Sequence, residues 1–169
     1  MKKNRILRLA QGAVLCALVF IATWISIPTP PIGNVNLGDC LILVGAWTIG
    51  GPWAVVGGAL GAVLCDLVGG YAVYAPATLL IKSAMVSIVL LFKALELRTD
   101  KNKKMLSVLG VVCAEGVMTL GYFIYEAAVL GYGLAAAANI PLNITQGVVN
   151  GLLAFLIYGL LSKNRHSKV

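Results

Sequence analysis

Apolar residues run along this chain in long blocks, separated by short clusters of Gly, Pro and charged residues. Half-buried strands alternate every second residue, and surface helices show a narrow apolar stripe. Uninterrupted apolar runs of about 20 residues instead mark bilayer-crossing helices. The first run covers residues 8–27, with basic residues before it and Pro28, Pro30 and Pro31 closing it. A secretory signal begins in the same way, but its apolar region is shorter and ends in a small-residue cleavage site. Neither feature is present, so a retained helix is predicted. A short second run, residues 39–50, meets Gly50-Gly51-Pro52, a strong breaker, and a third helix follows over residues 52–68. Gly69-Gly70 ends that helix and leads into a short loop. The remaining runs predict helices over residues 76–95, 105–126 and 140–161, the last two joined by a Gly/Ala-rich loop.

Composition makes the membrane reading firm. The chain is 60% hydrophobic and 11% charged, whereas soluble domains are about 45–50% apolar and about 25% charged. A water-soluble fold, a disordered tail and a disulfide scaffold are excluded. At about 20 residues per span, the 169 residues hold six helices. The expected fold is all-α: a polytopic membrane protein with one transmembrane domain over residues 1–169.

The net charge of +7 does not point to nucleic acid. Lys2, Lys3, Arg5 and Arg8 lie at the N-terminus. Lys93, Arg98, Lys101, Lys103 and Lys104 sit between the fourth and fifth runs, and Lys163, Arg165 and Lys168 in the tail. Clustering of this kind follows the positive-inside rule. Six spans with both termini cytoplasmic put all of these clusters inside, and leave the three outer loops without Lys or Arg. Five spans would put the 93–104 linker outside, so the charge pattern selects six. Cys16, Cys40, Cys65 and Cys113 lack CxxC or metal-ligand spacing and read as small core residues.

Ionisable groups inside spans cost about 2.5–3.5 kcal/mol each on insertion scales and are functional candidates. Asp66 and Lys82 lie near the outer ends of the third and fourth helices, where a salt bridge between them is expected. On the fifth helix Glu115, Tyr122 and Glu126 share one face, and on the sixth so do Asn139, Asn143, Gln146 and Asn150. Facing each other, the two stripes would form an outward-open cavity for a polar, aromatic small molecule, with Lys82 reaching in. Tyr74 and Tyr71 beside the Gly pair are placed to form a lid, and Asp39 to cap the second helix. Gly57-xxx-Gly61 and Gly147-xxx-Gly151 are spaced for close helix contact. No P-loop, HExxH or G-x-S-x-G occurs, and the single His166 lies in the tail. Neither an enzyme nor a cofactor or metal site is expected, and any pumping needs an energy-supplying partner.

Asn36-Leu-Gly-Asp39, Gly57-Gly58-x-x-Gly61-x-x-x-x-Asp66 and Tyr74-Ala-Pro-Ala-Thr-x-x-x-Lys82, on a six-span chain of this length, resemble the substrate-binding S component of an energy-coupling factor (ECF) vitamin transporter. The resemblance is to the branch covering riboflavin and the smaller pyridoxine- or hydroxymethylpyrimidine-type substrates. It implies high-affinity vitamin binding by the outer parts of helices four to six and the loop between helices one and two. The smaller substrates are the first expectation and riboflavin the alternative. It also implies toppling in the bilayer, driven by a T subunit and two ATPase subunits in a bacterial plasma membrane. Ala13-Val-Leu-Cys-Ala17 matches the small face on helix one that docks the T subunit. A rival of another class is an ion-coupled carrier or channel using Asp66, Lys82 and Glu115 as its path.

The charge clusters predict topology directly. A reporter placed near Asn102 reads cytoplasmic and one near Tyr132 external; an external signal at 102 would rule out the six-span arrangement.

Overall fold

The computed structural model describes residues 2–28, 34–99 and 102–166. Pro30, Pro31, Lys101 and Lys168, used above as a span end and as charge markers, lie outside these stretches. The described residues form six α-helices: α1 (Lys2–Trp24), α2 (Gly38–Thr48), α3 (Gly51–Val68), α4 (Ala75–Arg98), α5 (Lys103–Ile124) and α6 (Ile140–His166). A small antiparallel ribbon joins α1 to α2, with β1 (Ser26–Pro28) paired to β2 (Asn34–Asn36). Sequence patterning reads this segment as loop, because two three-residue strands carry too few positions to show a period of two. The Gly/Ala-rich connection between α5 and α6 is also more ordered than expected. One wide π turn (Tyr125–Val129) extends α5, and a 3-10 segment (Gly133–Asn139) leads into α6.

Among the described residues, five helices are long and apolar enough to cross a membrane. The exception is α2. Its 11 residues rise only about 16 Å at ~1.5 Å each, about half of a hydrocarbon core of ~30 Å. Residues 39–50 are therefore a half-length buried helix rather than a full span. It runs antiparallel to α1, its Gly45 meeting Leu15 and its Gly38 meeting Thr23. Nine of its residues are buried, and Ile42, Leu43 and Ala46 have no exposure at all. The β-ribbon continues from its N-terminal end, next to the last turn of α1, where the Leu37 N–H donates to the Ala22 carbonyl. The amine of Lys93 donates to the Trp47 carbonyl at 2.5 Å and satisfies one of the helix's last acceptors.

Glycines let the helix backbones meet. A Cβ at Gly57 would stand 2.4 Å from the Gly12 carbonyl oxygen, and one at Gly61 2.5 Å from that of Cys16. Gly57-xxx-Gly61 is therefore the seam that joins α3 to α1. Likewise Gly147 and Gly151 of α6 lie against Glu115 and Val111 of α5. Both small-residue patterns act within the chain. Val14, Leu18, Ile21, Leu80, Leu152 and Leu156 point outward. A broad apolar exterior is what a bilayer, but not water, accommodates.

Because backbone oxygen blocks the space at Gly57, Gly57→Ala forces α1 and α3 apart and costs about 1–3 kcal/mol. Nothing lies within 4 Å of a Cβ at Gly116, and Gly116→Ala is expected to hold or raise stability. Thermal unfolding of the two variants in detergent checks the contrast.

A polar network at the ribbon end of the bundle

The network centres on Asp39, in the first turn of α2 and fully buried. One carboxylate oxygen accepts from the Lys82 ammonium at 2.5 Å, and the other accepts from the Gln146 amide at 2.8 Å. The Gln146 carbonyl oxygen in turn accepts the backbone N–H of Asn36 at 3.0 Å. Asn150 completes the tie. Its Oδ1 accepts from the Cys40 N–H at 2.8 Å, while its Nδ2 donates to the Asn36 carbonyl at 2.9 Å. The carboxylate thus joins α2 directly to α4 and α6, and the α6 amides tie in β2.

A second group lies nearer the ribbon end. Lys82 sits 5.4 Å from the ring centre of Tyr122, whose hydroxyl hydrogen-bonds Thr78 at 3.1 Å. The Tyr74 ring is 6.4 Å from that of Tyr122 and 5.9 Å from that of Tyr125. Tyr74 donates to one oxygen of Glu126 at 3.3 Å, and Asn139 donates to the other at 2.8 Å. Burial and the adjacent Glu126 carboxylate hold the Tyr74 phenol above its ordinary range, so it remains a neutral donor.

Several expectations change on this geometry. Lys82 pairs with Asp39, not Asp66. The fully desolvated carboxylate has the stronger need for a cation, whereas Asp66 is only partly buried and has one unpartnered oxygen. Nor is Asp39 a cap. The helix starts one residue earlier with no side-chain cap from Leu37; Asn36 Oδ1 accepts the Gly38 N–H at 3.0 Å instead. The two polar stripes do not face each other along their length. Glu126 and Asn139 meet across the α5–α6 connection, but Gln146 and Asn150 turn toward α2 and β2. Asn143, one turn from both Asn139 and Gln146, is half-buried. Glu115 stands apart from these hydrogen bonds, with both carboxylate oxygens buried and unpartnered. Ala13 and Ala17 are exposed on the outer face of α1.

Asp39 as the hub, Asn36 and Thr78 escape sequence reasoning. The Asn36-Leu-Gly-Asp39 motif marks the right segment, but a polar residue before an apolar run reads as a cap by default.

The family model for the S component of ECF-type riboflavin transporters matches residues 3–163. The chain belongs to this family. Among solved structures, the S component described in "Structure and mechanism of the S component of a bacterial ECF transporter" is similar, with a TM-score of 0.73 and 22% identity. The match covers 96% of this chain and 98% of that one. No curated protein matches. This S component is therefore a multi-pass subunit of a bacterial membrane transporter, not an enzyme, and it works with the other parts of an ECF module.

Removing one member of a buried ion pair strands the other, at a cost of about 3–5 kcal/mol. Lys82→Ala and Asp39→Ala are each expected to lower the unfolding temperature sharply. The double variant loses far less than their sum, a non-additivity that a double-mutant cycle on thermal unfolding measures.

Proposed function

We propose that this S component binds riboflavin and delivers it to an ECF import module. The observation that carries the reading is the family match over nearly the whole chain. It favours riboflavin over the pyridoxine- or hydroxymethylpyrimidine-like substrate that the sequence suggested first, and it disfavours an ion-coupled carrier or channel. The chemistry of the ribbon end supports it. Riboflavin joins a flat tricyclic ring to a chain of hydroxyls. Tyr74 and Tyr122 offer rings for stacking. Lys82, Asn143, Gln146, Asn150 and Asp66 offer donors and acceptors for the hydroxyls and the ring edge. Thr78 and Asn139 extend that set.

Binding has a mechanical side. Gln146 and Asn150 hold the backbone of Asn36, so a vitamin that takes over their amides loosens the β-ribbon. The ribbon is then the part that opens and closes over the ligand. Both termini and the α4–α5 turn lie on the cytoplasmic side, and the ribbon faces out. Ala13 and Ala17 form the docking face for the T subunit, through which two ATPase subunits drive toppling and release.

Riboflavin titration of the purified protein, followed by flavin fluorescence, tests the reading. Riboflavin binds more tightly than pyridoxine or the hydroxymethylpyrimidine; tighter binding of either smaller vitamin overturns it. Asn143 is the cleanest probe, since none of the network's ties runs through it. Removing a hydrogen-bonding partner costs about 1–3 kcal/mol, so Asn143→Ala weakens riboflavin binding roughly five- to 150-fold with an unchanged unfolding temperature. Bulky residues at positions 13 and 17 block uptake but leave binding by the isolated protein intact.

A further inference from the structure

A groove of about 550 Å³ runs between α5 and α6. It follows residues 108–123 of one helix and 140–155 of the other, a length of about 22 Å at ~1.5 Å per residue. Its rim includes Val112, Leu120, Val148 and Leu152, all on the exposed apolar exterior. The groove therefore opens sideways, toward the bilayer. Glu115 lies near its midpoint and is the one ionisable group in its lining. It is 7% exposed, and neither of its oxygens has a hydrogen-bond partner. A Cβ at Gly147 would stand 3.1 Å from its Oε2, so the carboxyl group rests against a glycine surface that offers it no donor side chain.

An acceptor of this kind is costly at mid-membrane unless something donates to it. Asp39, also buried, has a donor on each oxygen; Glu115 has none among the described residues. The groove's volume of about 550 Å³ falls within the range of about 300–1,000 Å³ that small-molecule sites span.

We propose that the α5–α6 groove is a second binding site, entered from the bilayer, for a small apolar molecule bearing an O–H or N–H donor that Glu115 accepts. The site is independent of which vitamin the ribbon end binds.

Labelling with dicyclohexylcarbodiimide in liposomes tests it. The Glu115 carboxyl oxygen adds to the central carbon of the reagent and its proton passes to a nitrogen. The acyl group then shifts to nitrogen, so the whole reagent mass stays on the protein. Mass spectrometry is expected to find the adduct at Glu115 in the parent and none there in Glu115→Gln. A water-soluble carbodiimide added outside the liposomes does not form it. 4-Cyclohexylphenol, which carries the donor, protects at a concentration at least about fivefold below that needed with cyclohexylbenzene, which lacks it. That ratio is the lower end of the cost of an unmade hydrogen bond. Gly116→Leu fills the groove from α5, where space is open. It cuts labelling at least tenfold while riboflavin affinity moves less than twofold. Equal protection by phenol and hydrocarbon, absence of the adduct, or labelling by the water-soluble reagent alone overturns the proposal. So does protection by riboflavin at its own binding concentration, which would make the groove part of the vitamin site. The phenol comparison uses the parent protein, so it holds even if Gly116→Leu fails to fold.

Discussion

A carboxylate buried inside a membrane protein has to be answered by the rest of the fold. Asp39 has no exposure because the first turn of α2 is enclosed by α1, α4 and α6. Every element that could answer it does so. Lysine comes from α4 and an amide from α6, and the backbone of β2 is held by the same amides. Desolvation makes each of these ties costly to break singly. The position of the ribbon, the face α4 turns to α2 and the inward face of α6 are consequently one problem with one solution.

Around this polar centre the remaining packing is simple. Glycine seams bring α1 to α3 and α5 to α6 at backbone distance, and apolar side chains cover the outside. Without a hydrophobic drive between helices in lipid, close van der Waals contact and interhelical hydrogen bonds carry association. This chain uses both, in separate places. Seams fix pairs of helices, and the Asp39 network fixes the pairs to one another through α2.

The six helices were legible in the sequence because apolar runs and Gly/Pro breaks are local signals. Observed ends differ from expected ones by a few residues, as at α4, where the helix extends to Arg98. Lys82, Tyr122, Gln146 and Asn150, which the sequence singles out as polar groups inside apolar runs, all lie in the polar region at the ribbon end. Who pairs with whom was not legible. Helical periodicity tells which residues share a face, not which neighbour that face meets, so Lys82 was assigned the nearer carboxylate in sequence. The α6 amides were turned toward α5 when they serve α2. Enclosure by neighbouring helices was the missing information. The first turn of α2 is covered on all sides, which makes Asp39 the only fully buried acid within reach of Lys82 among the described residues.

The short α2 also constrains how the protein is made. The 11 residues of α2, Asp39 and Thr48 among them, are too few to span a bilayer, and only Ile49 and Gly50 separate them from α3. Asp39 is synthesised long before its partners. Lys82 follows 43 residues later and Gln146 only after 107. Until α6 emerges from the ribosome, the ribbon and the start of α2 have no amides to hold them, and water at the membrane surface must serve in their place. A helix translated after α1 to α5 is thus the one that holds the loop between α1 and α2.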